Sequence, residues 1–214
     1  MTAHRIIKSL VNRGNAVLGI GCYSAAMACQ ADDTRIIKVG TDMEDPWLTY
    51  YSEIIKPMQG NPFVPKVYSF YHDDDNNYFV CQMERLTDLD SFNYDTKVHA
   101  KKVTKAIKKL ILQSIDDSEF ADICRANPSI INTDEQISQL IAVIHNLRER
   151  TEVLEYDEQE EHPADAKRLD LHEGNIMFRG NTPIIIDPWC HNVMDDVADL
   201  TDWAIGRNLE WLDK

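Results

Sequence analysis

Three polar side chains in the second half of the sequence have the types and spacing of a magnesium-nucleotide site. Asp170 is followed five residues later by Asn175, and Asp187 ends the apolar run Ile184–Ile186. In phosphoryl transfer a first carboxylate orients the attacking hydroxyl, while an asparagine and a second aspartate hold the metal that bridges the phosphates. The pattern predicts these roles in chain order. The alternative is a polar hairpin, because Gly174-Asn175 is also an ordinary turn dipeptide.

A glycine-rich segment, and a lysine in the strand that follows it, indicate a phosphate-binding element. Apolar runs surround Gly19 and Gly21, which predicts a β-hairpin whose bare backbone can approach phosphates. A dinucleotide-binding turn would need a helix directly after the glycines, whereas a further strand over 35–39 favours the hairpin. Lys38 lies inside that strand, where an ammonium group is costly unless paired. We expect it to reach an anion, or else to extend to solvent at a sheet edge.

The next element is a helix that can carry a partner for this lysine. Asp45 is a good N-cap and Pro46 a good first helical residue. The predicted helix runs to about residue 55 and carries Glu53 beside its apolar stripe. We predict a Glu53–Lys38 ion pair that holds the amine toward a nucleotide. A solvated surface glutamate is the alternative, and Glu44 is the fallback partner.

Two further strands complete a predicted nucleotide-binding sheet. Apolar and aromatic runs over 64–71 and 78–83 are joined by a polar turn, which gives a five-stranded antiparallel sheet with one helix. Glu84 to Leu86 then forms the crossover to the rest of the chain. We expect the backbone groups of Glu84 and Leu86 to contact an adenine edge.

Composition limits the class of protein. With 214 residues the chain suits one domain of two lobes. A net charge of −14 argues against binding to nucleic acid and fits basic protein partners, or simply good solubility. The five cysteines have no metal or disulfide spacing, which indicates a reducing compartment. No apolar run approaches the length of a membrane span, so we expect a soluble, cytoplasmic protein that does not contact membranes.

The middle of the sequence must supply a helical second lobe. A helix over 97–115 has an apolar arc that includes Ala100 and Ile107, and a lysine stripe on the opposite side. Thr133-Asp134-Glu135-Gln136 is a capping box that opens another helix. Residues 151–166 are acidic and are expected to be mobile, as a solubilising loop or as a lip that attracts basic substrates. A closing helix is predicted over 193–211, from which Asp199 braces the catalytic loop.

These motifs follow one another in the order of the protein-kinase-like fold. They are Gly19-x-Gly21, Ile37-Lys38, the helix with Glu53, Met83-Glu84-x-Leu86, Asp170 with Asn175, and Ile186-Asp187. More closely, Ser24-Ala25-Ala26, Ile36–Gly40, Gln59–Pro62, Val64–Tyr68 and His172-x-Gly174–Phe178 resemble the early serine/threonine kinase of podophages that encode their own single-subunit RNA polymerase. The resemblance covers roughly residues 17–88 and 168–190.

The resemblance implies a fold, cofactors and partners. The fold is α+β and two-lobed, with the sheet lobe over 1–86 and a reduced helical lobe over 87–214. ATP and Mg²⁺ are the implied cofactors, with Asp170 as catalytic residue and Asn175 and Asp187 as metal ligands. The implied activity is phosphorylation of serine and threonine in host bacterial proteins, including the transcription and RNA-processing machinery, in the host cytoplasm.

Four positions depart from the usual kinase pattern. Ser24 stands where the third glycine of the nucleotide loop is usual, and it offers a hydroxyl. Leu169 replaces an arginine before Asp170, and Pro188 replaces a phenylalanine after Asp187. His172 occupies the position of a catalytic lysine that steadies the γ-phosphate, a position at which small-molecule kinases vary. A small-molecule phosphotransferase and an inactive module that binds a host protein therefore stay open as alternatives.

Overall fold

The structure is a computed structural model that describes residues 2–21, 23–41, 45–151, 167–171 and 173–191. The predicted His172, Glu44 and Asp199 lie outside these residues. So do the acidic stretch after Thr151 and the closing helix predicted over 193–211. Within the described part of the chain, no helix is long and apolar enough to cross a membrane.

The N-terminal part forms the predicted five-stranded antiparallel sheet, with strand order β1-β2-β3-β5-β4. Its strands are β1 (Val17–Ile20), β2 (Ser24–Ala28), β3 (Arg35–Thr41), β4 (Val67–Asp73) and β5 (Tyr78–Glu84). Strand β3 lies at the centre, and places Lys38 opposite Ala26 of β2 and Cys81 of β5. Lys38 is therefore carried by an interior strand and not by a sheet edge.

Two helices pack against this sheet. Helix α1 (Ala3–Asn12) is amphipathic, and its Ala3 and Ile7 form a small core with Met27, Val39 and Tyr78. Helix α2 (Pro46–Tyr50) begins at the predicted cap, where Asp45 Oδ1 accepts the Trp47 N–H at 2.9 Å. It continues as a π-helical turn over Tyr51–Ile55.

The second part of the chain is mostly helical, as predicted. It comprises α3 (Tyr94–Ile111), α4 (Asp117–Arg125) and α5 (Asp134–Arg150). The predicted apolar arc of α3 is buried, and Thr133 Oγ1 accepts the Gln136 N–H at 3.1 Å as the capping box requires. Helix α4 was not predicted from the sequence, although Asp116 caps it and Glu119 follows three residues later.

Short strands flank the polar residues Asp170, Asn175 and Asp187 of the second part. Strand β6 (Lys167–Leu169) pairs with β9 (Trp189–His191), and β7 (Ile176–Arg179) forms a hairpin with β8 (Thr182–Ile185). Gly180 in the hairpin turn has a φ of +58°, which glycine adopts without strain. The bridge between Thr87 and Phe178 ties this region to the crossover after β5.

One continuous apolar core joins the sheet to the helical part. It runs from Trp47 and Phe79 beneath the sheet, through Ile107 and Leu140 of the helices, to Phe178 of the β7–β8 hairpin. The α+β class and the two-part architecture are therefore as predicted. Thr151 departs from the prediction of a mobile segment, because it is buried and its Oγ1 accepts the Trp189 indole N–H at 2.9 Å.

Candidate functional site

A cleft of about 840 Å³ lies between the sheet and the segment 167–191. It brings together residues that are far apart in the sequence. Of the predicted site residues that the structure describes, all except Glu53 line it, namely Gly19, Gly21, Ser24, Lys38, Glu84, Leu86, Asp170, Asn175 and Asp187. A separate cavity of about 520 Å³ beside the end of α3 contains none of them.

Lys38 is buried in the cleft and contacts the predicted metal site. Its Nζ lies 3.2 Å from Asp187 Oδ2 and 4.7 Å from the centre of the Trp47 ring. An ammonium group has three donors, and among the described residues Asp187 is the one hydrogen-bond partner of this amine. Lys38 can therefore donate to a further acceptor, such as a phosphate oxygen, without leaving the cleft.

The predicted ion pair between Lys38 and Glu53 is not formed. Glu53 does not line the cleft, and its Oε2 lies 3.5 Å from Arg150 Nε of α5. The core takes Tyr50, Ile54 and Ile55 of this helical segment. The π-helical turn has a wider hydrogen-bond spacing than an α-helix, so it changes the direction in which Glu53 points. Glu53 therefore lies beside the buried face of this segment and contacts α5. The prediction from α-helical spacing that Glu53 pairs with Lys38 is therefore wrong.

Hydrogen bonds between loops fix the positions of Asp170, Asn175 and the backbone around Asp187. Asn175 Nδ2 donates to the backbone oxygen of Asp170 at 2.6 Å and to its carboxylate Oδ2 at 3.3 Å. The Asp170 N–H donates to the Pro188 oxygen at 2.8 Å, and the Ile186 N–H donates to the Asn175 oxygen at 3.0 Å. The backbone on both sides of Asp187 is thereby fixed against the loop that carries Asp170 and Asn175.

The donor set suits a magnesium ion. No group of three or more histidine, cysteine, aspartate or glutamate residues with metal-binding geometry occurs in the part of the chain that the structure describes. Mg²⁺ commonly binds through one or two carboxylates together with phosphates and waters. Asp187 supplies a carboxylate, and Asn175 uses its amide nitrogen toward Asp170, which leaves its amide oxygen for the ion. These two residues would therefore hold the metal.

The glycine-rich hairpin forms the outer wall of the cleft. The Gly21 N–H donates to the Ser24 oxygen at 2.8 Å, which closes the turn between β1 and β2. A Cβ atom added to Gly19 would meet no protein atom within 4 Å. The packing of the chain itself therefore does not require glycine at this position, whereas a ligand that approaches the backbone closely would require it.

The crossover after β5 presents one open backbone donor to the cleft. The N–H groups of Glu84, Arg85 and Thr87 donate to Lys66, Thr34 and Phe178 oxygens at 3.0, 2.8 and 2.9 Å. The Leu86 N–H has no acceptor among the described residues. This N–H is the group that the adenine prediction requires at Leu86. The Glu84 side chain is occupied elsewhere, because both of its oxygens bind Arg179.

Several lining residues were not predicted as part of the site. Apolar side chains form the walls near the crossover, namely Leu18, Ala26, Ile36, Met83, Met177 and Ile186. Apolar residues at alternate positions of a strand indicate a half-buried face, and this pattern was visible in the sequence. Asp45, which was predicted only as a helix cap, also lines the cleft. The pKa of Asp45 is raised to about 6. Burial is the largest cause; the nearby Lys38 charge opposes the rise, and the Asp187 charge adds to it.

Comparison with known proteins gives likenesses at the level of structure alone. No family model matches the sequence, and no curated protein matches it. Solved structures that match include APH(2'')-IIa with streptomycin and ATP (TM-score 0.37, 15% identity, 87% of this chain and 71% of that chain). The gentamicin complex of APH(2'')-IIa gives a TM-score of 0.38, with 15% identity and 87% and 70% of the two chains covered.

A third likeness is to the aminoglycoside phosphotransferase APH(2'')-Ib with ADP bound. Its TM-score is 0.35 at 15% identity, and 87% of this chain and 71% of that chain are covered.

Proposed function

We propose that the protein transfers the γ-phosphoryl group of ATP to a hydroxyl group in this cleft, with Mg²⁺ as the metal. The observation that carries the proposal is the meeting of Lys38, Asp170, Asn175 and Asp187 in one cleft, although three separate segments of the chain supply them. This is the residue set that phosphoryl transfer needs: a cation for the phosphates, a base for the acceptor, and oxygen ligands for a hard metal ion.

Each residue has a role that follows from its position. Leu86 donates its open N–H to the adenine edge, and the apolar walls enclose the base. Lys38 donates to phosphate oxygens from the floor of the cleft. Asp170 accepts the proton of the acceptor hydroxyl, whose oxygen bonds to the γ-phosphorus as the bond to the β-phosphate oxygen breaks and ADP leaves. Asn175 and Asp187 would hold Mg²⁺, which would supply positive charge to the phosphates.

As acceptor we propose serine and threonine hydroxyls of host bacterial proteins, in line with the resemblance to the early podophage kinase. The net charge of −14 supports basic protein substrates and opposes nucleic-acid partners. A small-molecule hydroxyl is the second candidate. It is favoured by His172, which stands where serine/threonine kinases commonly carry a lysine.

Transfer of label from ATP separates these candidates. The purified protein is incubated with bacterial lysate, MgCl₂ and ATP labelled in the γ-phosphate, with Asp170→Asn as the control. We expect label on serine and threonine of lysate proteins with the wild type, and little with the variant. Label in a low-mass soluble product would identify a small-molecule acceptor instead. Incorporation equal to that of the variant in both fractions would contradict the proposed transfer.

A further inference from the structure

A buried carboxylate oxygen without a hydrogen-bond partner lies in the cleft. Asp45 is 5% exposed, and its Oδ1 accepts the Trp47 N–H at 2.9 Å as the cap of α2. Its other oxygen, Oδ2, is buried and has no hydrogen-bond partner among the described residues. Buried polar atoms are almost always paired. One oxygen of Asp45 therefore serves the helix, and the other remains for a group that reaches it within the cleft.

The packing around Gly40 explains why this carboxylate lies beside Lys38. Residues 38 and 40 are two apart on β3 and so project from the same face of the sheet. A Cβ atom at Gly40 would lie 2.3 Å from the Phe79 ring and 3.0 Å from Asp45 Oδ2. The missing side chain lets the stacked Phe79 and Trp47 rings, and with them the start of α2, approach the strand that carries Lys38.

The charges at this end of the cleft form a small group. Lys38 contacts Asp187, and its charge acts on Asp45. A buried carboxylate without hydrogen bonds is costly, and a nearby cation offsets that cost. Glu53 does not belong to the group, because it lies outside the cleft and pairs with Arg150. Among the described residues, Asp45 is therefore a carboxylate that stays available to the lysine when Asp187 binds a metal ion.

We propose that Asp45 is the positioning residue for Lys38, and that it takes the place predicted for Glu53. In this arrangement Asp187 releases the amine when it binds Mg²⁺, and Asp45 Oδ2 accepts a hydrogen bond from Lys38 Nζ. The amine is then held between the Trp47 ring and Asp45, with its other donors directed at the phosphates. This inference rests on the proposed phosphoryl transfer and adds the residue that orients its cation.

A double-mutant cycle tests the coupling of Asp45 to Lys38. The proteins are the wild type, Asp45→Asn, Lys38→Met and the double variant, each assayed for initial rates of γ-phosphoryl transfer over a range of ATP concentrations. Asparagine keeps a capping oxygen and the side-chain size, so α2 should still begin at this residue. Asp116→Asn is the matched control, because Asp116 caps α4 in the same way and lies outside the cleft.

We expect Asp45→Asn to lower kcat about tenfold, with a smaller change in KM for ATP and with an unchanged melting temperature. In the Lys38→Met background the same substitution should cause no further loss. Asp116→Asn should leave kcat at the wild-type value. If Asp45→Asn does not fold, Asp45→Ser goes through the same cycle, because serine keeps a capping oxygen and has no carboxylate.

Three results would overturn the inference while the proposed function stands. One is a wild-type kcat in Asp45→Asn, and another is an equal loss in both backgrounds, since Asp45 would then act independently of Lys38. The third is coupling of Glu53→Gln with Lys38→Met in a parallel cycle, which would restore the helix glutamate. A wild-type protein that neither binds Mg-ATP nor transfers its phosphate would overturn the proposed function together with this inference.

Discussion

Among the residues that the structure describes, two ion pairs join the five-stranded sheet to the segment 167–191, and they differ in how many of their donors and acceptors are hydrogen-bonded. Arg179 of β7 binds both carboxylate oxygens of Glu84 at the end of β5. The same guanidinium donates to the Pro62 oxygen at 2.9 Å and to the Val64 oxygen at 3.2 Å. The Lys66 N–H donates to Glu84 Oε1 at 2.7 Å. Both carboxylate oxygens of Glu84 and the guanidinium of Arg179 therefore have hydrogen-bond partners, and this pair holds the crossover in place.

The pair between Lys38 and Asp187 is sparse by comparison. It consists of one contact at 3.2 Å, and its carboxylate side chain, Asp187, is 32% exposed, whereas that of Glu84 is 7% exposed; Lys38 is 11% and Arg179 26% exposed. A buried pair contributes to stability only when its geometry is good and its remaining donors and acceptors are satisfied. The sparse pair is poorly suited to hold the fold and well suited to exchange partners with a ligand.

The comparison predicts that Lys38 matters for activity and little for stability. Lys38→Met keeps the length of the side chain and removes its donors, and removal of a preorganised donor commonly lowers kcat roughly 10²–10³-fold. We expect a loss of that size in γ-phosphoryl transfer, with a smaller fall in melting temperature than loss of the Arg179–Glu84 pair would cause. Lys56→Met, at an exposed position of the same lobe, is the control. Unfolding of Lys38→Met with full activity per folded molecule would instead make Lys38 structural.

Arg179 should show the opposite behaviour. Arg179→Met leaves Glu84 buried without its cation and two backbone oxygens without their donor. Loss of one partner of a buried pair costs about 3 kcal/mol. For a chain of this size such a cost corresponds to a fall of roughly 6–12 °C in melting temperature, which calorimetry measures against Arg13→Met at an exposed site. Turnover per folded molecule should stay within about twofold. A large loss of turnover with an unchanged melting temperature would reverse the two assignments.

Glu84→Gln should give the smallest effect of the three substitutions. Glutamine keeps an acceptor for the Lys66 N–H and for one guanidinium donor, but it lacks the charge. We expect about 1.5 kcal/mol of destabilisation in urea unfolding, the lower end for hydrogen bonds to charged groups. Affinity for Mg-ATP should be unchanged, because the proposed adenine contacts at Glu84 and Leu86 use the backbone. A drop in nucleotide affinity larger than the drop in stability would mean that the Glu84 side chain reaches the ligand.

Local signals in the sequence predicted most of the fold. The five strands, the Asp45 and Thr133 caps and the buried arc of α3 depend on residues near one another in the chain, and all are formed. Helix α4 also had a local signal, in Asp116 followed by Glu119, so this helix too could have been predicted from the sequence. The cleft could be predicted because the motif order of the sheet and of the segment 167–191 implies that they face each other.

The absence of a Glu53–Lys38 pair could not be predicted in this way. It depends on the π-helical turn over Tyr51–Ile55, which alters the phase of Glu53, and on the packing of α2. The position of Asp45 depends on contact between Gly40 and Phe79, which lie on separate strands. Such contacts follow from the packing of distant residues and have no signature in a short stretch of sequence.

The central claim is that the cleft binds ATP through a metal held by Asp187 and Asn175. Isothermal titration calorimetry with ATP, with and without MgCl₂, tests this claim on the wild type and on Asp187→Asn. We expect the wild type to bind ATP more tightly with Mg²⁺ than without it. In Asp187→Asn this dependence on Mg²⁺ should disappear, while the folded state is retained. Equal affinity of the two proteins for ATP in the presence of Mg²⁺ would contradict the account.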